Sequence, residues 1–111
     1  LLSIQSFGEV TYNGQCATVE NDSGDFTVSL NTAANIFELR FEKDMTKSIF
    51  IASAKDPYAD AEPYVSVAVE REQPNGFRVA TIKDGKLPAF VRGFGFWFIA
   101  TRLKVCQDDL G

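Results

Sequence analysis

The chemistry open to this chain rests on carboxylates, tyrosines and two cysteines, because its 111 residues include no histidine. Serine, cysteine and metal-dependent hydrolases mostly lean on an imidazole as base, acid or ligand, so those classes are set aside. The remaining polar chemistry gathers in one stretch, Lys55-Asp56-Pro57-Tyr58-Ala59-Asp60-Ala61-Glu62-Pro63, with Tyr64 directly after it. A tyrosine flanked by carboxylates can stack on a sugar face while the carboxylates accept hydroxyl hydrogen bonds, or it can hold a cationic group. Asp56, Tyr58, Asp60, Glu62 and Tyr64 are therefore the candidate ligand-binding residues. The plainer reading has Tyr58 packing this loop onto the domain.

Loop carboxylates and backbone carbonyls are also what a calcium ion takes, with six to eight oxygens in roughly that setting. The spacing of Asp56, Asp60 and Glu62 matches no EF-hand loop, and Asp22 and Asp25 straddle an ordinary Ser23-Gly24 turn. No cofactor is assigned, with calcium on the 55–63 loop as the one alternative. A pair of glycosidase carboxylates is defined by separation in space rather than in sequence, and so small a domain implies no substrate cleft. Gly93-Phe94-Gly95 has no helix after it and is not a phosphate loop. No catalytic residue is assigned, and the chain is read as a non-enzyme.

Cys16 and Cys106 lie near opposite ends of the chain, with neither a CxxC partner nor a histidine for zinc. By alternation each sits on the polar side of its segment. They are either unrelated thiols or a disulfide candidate; closing a loop of about 90 residues would stabilise by on the order of 4 kcal/mol. A disulfide requires an oxidising compartment, hence an extracellular setting.

Fifteen acidic residues against eleven basic ones give a net charge of −4, and no basic cluster exceeds two residues. Nucleic acid, which wants a basic stripe, is not an expected partner. No apolar run approaches the roughly 20 residues that span a bilayer, so membrane insertion is not expected. Leu1-Leu2-Ser3-Ile4-Gln5 lacks the pattern of a signal peptide, and a chain opening without methionine reads as a processed or excised domain.

The elements that must position these residues are strands. Phe26, Val28 and Leu30 alternate with Asp25, Thr27 and Ser29; Phe37, Leu39 and Phe41 alternate with Glu38 and Arg40. Val65, Val67 and Val69 share a side, and Phe77 and Val79 stand against Arg78. Gln15–Glu20, Ser48–Ser53 and, less clearly, Gly8–Tyr12 fit the same class. Turn clusters at 12–14, 21–25, 73–76 and 83–86 separate the runs, and their Asn13-Gly14, Asn75-Gly76 and Asp84-Gly85 pairs tolerate the positive φ that tight hairpins need. A short helical turn is expected around Thr32–Asn35. About eight to ten short strands, with turns at intervals of roughly 8–12 residues, predict a single domain over 1–111: an all-β antiparallel sandwich, jelly-roll-like.

One strand departs from the pattern. In Phe94-Gly95-Phe96-Trp97-Phe98-Ile99-Ala100 the three phenylalanines take one face, while Gly95, Trp97 and Ile99 take the other. A strand apolar on both faces must be covered on both. Phe94, Phe96 and Phe98 would fill the core. Trp97 and Ile99 would lie in a subunit interface closed by symmetry, under the 55–63 loop or the N-terminal segment, or in an aromatic ligand groove.

The run of Gly24-Asp25-Phe26-Thr27-Val28-Ser29-Leu30, Val65-Ser66-Val67-Ala68-Val69, Gly76-Phe77-Arg78-Val79-Ala80-Thr81 and the closing Phe94–Ile99 strand resembles a family. It is similar to the small trimeric jelly-roll heads that end bacteriophage tail fibres and collagen-like bacterial proteins, of complement and tumour-necrosis-factor-like architecture. The resemblance covers roughly residues 15–100. It implies a non-catalytic homotrimer, a virion structural protein or an extracellular one. Its last strand would line the inter-subunit face, and its apical loops would meet a cell-surface receptor or glycan. The 55–63 loop is more acidic and proline-rich than that pattern, and the two terminal cysteines depart from it. The alternative is a monomeric, secreted, disulfide-tied sandwich that binds a peptide or carbohydrate near Tyr58 and Trp97.

Overall fold

Alternating apolar residues share a side only on an extended backbone, and a sheet apolar on one side must bury it against another. The computed structural model describes residues 2–55 and 65–103, and among these the chain forms eight strands and no helix. They are β1 (Leu2–Tyr12), β2 (Ala17–Glu20), β3 (Phe26–Asn31), β4 (Ile36–Phe41), β5 (Ile49–Lys55), β6 (Val65–Gln73), β7 (Gly76–Lys83) and β8 (Gly95–Leu103). All pairings are antiparallel. A first sheet runs β2-β1-β8-β5 and a second runs β3-β4-β7-β6. The two pack as a sandwich, the architecture read from the alternation. Hairpins join β1–β2, β3–β4 and β6–β7; the remaining four connections cross between the sheets, and the first strand lies beside the last.

The inner faces supply the core. Phe37, Leu39, Phe41, Phe77 and Val79 from the second sheet meet Val10, Phe96, Phe98 and Ala100 from the first, all buried. Phe94 is buried as well, so the three phenylalanines of the closing strand go where alternation puts them. The rings interlock: Phe98 stacks on Phe50 at 4.9 Å, Phe50 stacks on Phe77 at 4.3 Å, and Phe41 meets Phe98 edge-on at 5.8 Å. At one end, Arg71 lays its guanidinium 4.6 Å over the Phe77 ring and donates to the carbonyls of Met45 (2.6 Å) and Ser48 (2.8 Å). This draws the 42–48 crossover onto the core and seats the buried Met45.

Two backbone details decide where the outward residues point. Gly95 sits so close to β1 that a Cβ would overlap the Val10 carbonyl, so only glycine allows β1 and β8 to pair there. In β1 the register shifts between Ile4 and Ser6, leaving Gln5 as the extra residue of a bulge. Ser6 thereby turns into the sandwich, fully buried, while Ile4 pairs with Thr101 on the outer side. The expected Gly8–Tyr12 strand is thus the end of a much longer one. The segment 32–35 is the turn of the β3–β4 hairpin rather than a helical turn: Asn31 Oδ1 accepts from the Ala34 amide at 3.1 Å, and Asn35 takes φ 57°.

Candidate functional site

The first sheet's outer face reads as four cross-strand rows over β1, β8 and β5: Ile4–Thr101–Ile49, Phe7–Ile99–Ile51, Glu9–Trp97–Ser53 and Thr11–Gly95–Lys55. The first two rows are apolar apart from the buried Thr101 between its isoleucines. The last two are polar around a single indole. Ile4, Phe7, Ile49, Ile51, Trp97 and Ile99 are each between 36% and 61% exposed. Six large side chains showing about half of their surface amount to roughly 500 Å², towards the upper end of the largest apolar patch on a typical soluble monomer, and patches of that size are often functional.

Trp97 and Ile99, singled out from the sequence, therefore lie together on one outer surface. The N-terminal segment does not fold over Trp97. It pairs beside it as β1, and the indole remains 46% exposed. The ring is nonetheless fixed: Nε1 donates to Glu9 Oε1 at 2.7 Å, and the Lys55 ammonium donates to Glu9 Oε2 at 2.5 Å and to Thr11 Oγ1 at 3.0 Å. The bonds from Lys55 and Trp97 hold the Glu9 carboxyl below the usual carboxylate range. This gives the patch one anchored aromatic ring whose polar edge is already satisfied, leaving its faces for apolar contact.

Sequence reasoning missed Ile4, Phe7, Glu9, Ile49, Ile51 and Lys55. The signal for two of them was present, since Ile49-Phe50-Ile51-Ala52 is apolar on both faces, like the closing strand. Ile4 could not be read, because it depends on the bulge at Gln5. The ligand-binding candidates Asp56, Tyr58, Asp60, Glu62 and Tyr64 lie outside the described residues, as does Cys106. Next to them, β5 ends at Lys55, on the polar side of the Trp97 row, and β6 begins at Val65 in the second sheet. Cys16 is exposed in the β1–β2 turn, where Asn13 Nδ2 approaches its sulfur at 3.4 Å.

A second polar cluster has the residue types of an active site and a different use. Ser6 Oγ donates to Asp25 Oδ2 (2.5 Å), Ser23 Oγ donates to Asp25 Oδ1 (2.6 Å), and Lys43 Nζ lies 3.1 Å from Oδ2. Burial raises the Asp25 carboxyl pKa, but the bonds from Ser23, Ser6 and Lys43 outweigh it and leave the carboxyl lowered. Ser6 is completely buried, so no substrate reaches its hydroxyl. The cluster ties β1 to the turn before β3. Among the described residues, no group of three histidine, cysteine or acidic side chains is placed to hold a metal ion.

Compared with protein-family models, curated proteins and solved structures, the chain matches none.

Proposed function

We propose that this domain is a non-catalytic attachment module that works as a homotrimer, packing through the outer face of its first sheet and turning its second sheet and 55–63 loop toward a receptor or glycan. The observation that supports it is the apolar patch of Ile4, Phe7, Ile49, Ile51, Trp97 and Ile99. A standard interface buries about 800 Å² per partner around an apolar centre with a polar rim. The two apolar rows fit such a centre, and the Glu9–Lys55 pair with Thr11 fits the rim. Trp97, held at its edge by Glu9, is the type of anchored aromatic that carries binding energy at such centres. The setting proposed with this reading is extracellular or on a virion surface.

Sedimentation velocity tests it. The wild type should sediment at three times the 12.3 kDa chain mass. Ile51→Lys, on the exposed edge strand where a lysine costs the fold little, should give a folded monomer. A wild type that stays a clean monomer at micromolar concentration sinks the self-assembly reading. It would favour the second one, a monomeric binding domain using the same ring, for which Glu9, Thr11 and Lys55 beside Trp97 are the supporting polar groups.

A further inference from the structure

The opposite outer surface, on the second sheet, contains a cavity of about 420 Å³, within the range of small-ligand sites. Its floor is made by omission. Ala68 on β6 and Ala80 on β7 are direct cross-strand partners, and two methyl groups side by side leave a hollow in the sheet surface. Ile36 and Pro88 form walls. Pro88 bridges to Ile82, and the neighbouring Ala89 is tied to Thr81 twice, Ala89 N donating to Thr81 O at 3.0 Å and Thr81 Oγ1 donating to Ala89 O at 2.7 Å. Ala34 closes a further side from the turn that Asn31 holds. The walls are therefore preformed.

One side of the cavity is polar and charged. Arg78 lines it with Glu70, its cross-strand partner, and stands opposite Glu38 on its other flank. Arg78 Nε lies 3.8 Å from Glu38 Oε2 and 3.9 Å from Glu72 Oε2. Both distances exceed a hydrogen bond, and that buried N–H has no hydrogen-bond partner among the described residues. That Nε–H is shut away from solvent, whereas about a third of the Arg78 side chain remains exposed and lines the cavity, where the guanidinium can donate to a ligand acceptor. Three carboxylates around one guanidinium leave local negative charge, which repels a free acid and offers acceptors to hydroxyl groups.

From this we infer that the cavity binds a neutral saccharide carrying an N-acyl group. The acyl methyl rests on Ala68 and Ala80, the acyl oxygen accepts from Arg78, and a ring hydroxyl donates to Glu70. A small apolar group and an adjacent carbonyl match the floor and the donor; hydroxyls match the carboxylate. The site deepens the attachment reading by naming a ligand class. It lies on the face away from the proposed subunit contact, so its test does not depend on assembly.

Titration of ¹⁵N-labelled protein with N-acetylglucosamine, glucose, glucosamine and N-acetylneuraminic acid decides it. N-acetylglucosamine should shift the amides of Ala68, Ala80, Ile36 and Arg78. Glucose should bind at least about tenfold more weakly, the order expected when a fitted apolar group is removed. N-acetylneuraminic acid, which keeps the acetamido group but adds a carboxylate, should be rejected. Ala68→Leu, which fills the floor from an exposed position, should abolish the shifts while leaving the sedimentation coefficient unchanged. Absence of shifts, equal response to glucose, tighter binding of glucosamine or of the acid, or shifts centred on Trp97 would each overturn the assignment.

Discussion

The two sheets do the same thing inside the sandwich and opposite things outside it. Both turn phenylalanine and valine inward. Outward, the second sheet carries rows such as Ser29–Glu38–Arg78–Glu70, and Arg40 donates to Gln73 at 2.6 Å. The first sheet turns out Phe7–Ile99–Ile51 and an exposed tryptophan. Folding cannot account for the difference, because both inner faces are already covered. The apolar outer rows of the first sheet are the face on which the proposed trimer would close, each copy turning the same apolar chemistry toward the shared axis.

The sharpest way to separate folding from assembly is within one strand. Phe96 and Trp97 are neighbours on opposite faces of β8, the first fully buried and the second half-exposed. Phe96→Ala should lower the unfolding free energy by about 3–5 kcal/mol, since the ring packs edge-on against Phe37 and leaves a cavity behind. Trp97→Ala should cost the isolated domain no more than about 1 kcal/mol, most of it the bond to Glu9. It should nevertheless abolish association. Urea unfolding and sedimentation on the same two variants check this; equal stability losses would show that Trp97 serves the fold.

A smaller effect is expected on the edge. Ile49 and Ile51 stand outward on β5, whose other side has no strand partner among the described residues. Burying half of an isoleucine is worth about 1 kcal/mol, so Ile49→Ser should weaken each contact by roughly that amount and shift the assembly midpoint to higher concentration without dissociating it outright. Concentration-dependent sedimentation reads the shift, and an unchanged midpoint would remove β5 from the contact.

How much of this was legible follows the same divide. Inner faces are local in sequence: Phe37, Leu39 and Phe41, or Phe96 and Phe98, announce themselves by period-two alternation, and the turn pairs Asn13-Gly14 and Asp84-Gly85 adopt the positive φ expected of them, at Gly14, Asp84 and Gly85, whereas Asn75-Gly76 closes the β6–β7 turn without it. The doubly apolar closing strand was equally plain, and it gave Trp97 and Ile99. The rest of the patch is not local. Phe7 joins it through pairing with Ile99, and Ile4 only because a bulge at Gln5 reverses the alternation. Glu9 and Lys55 read as unremarkable surface charges until register sets them on either side of Trp97. Similarly, Ala68 and Ala80 look like filler in two separate strands and become a floor only when paired.

The pH dependence distinguishes the faces by a different route. Glu9 titrates below its ordinary value of 4.5 because Lys55 and Trp97 donate to its charged form. A carboxylate lowered by folding contributes stability that is complete above its unfolded value and is lost as pH falls through the folded one. Stability should therefore decline below about pH 4.5, with Asp25, lowered from 3.8 by Ser23, Ser6 and Lys43 against its burial, adding its loss at more acid pH. Asp44, lowered from 3.8 by its bonds from Thr46, adds to the same acid limb; Glu9→Gln should reduce the loss that begins near pH 4.5, and Asp25→Asn should reduce the loss that begins at more acid pH. Urea midpoints measured across the acid range test the pair. An unchanged limb in Glu9→Gln would mean that the Trp97 ring is not held through this carboxylate.

The smallest effect belongs to the charges of the second sheet. Arg78 meets Glu38 and Glu72 at 3.8 and 3.9 Å, beyond hydrogen bonding and with about a third of each side chain in solvent. Exposed pairs of this kind contribute between about zero and 1 kcal/mol, and these lack the short geometry that reaches the upper end. Glu72→Gln should change the unfolding free energy by less than about 0.5 kcal/mol, and added salt should erase even that. The comparison with Glu9→Gln is the informative part, because both remove one carboxylate from one outer face. If the two variants lost equal stability, the first sheet's polar row would be ordinary surface charge. If only Glu9→Gln matters, and it weakens association as well, the ring that Glu9 positions is what the apolar face is built around.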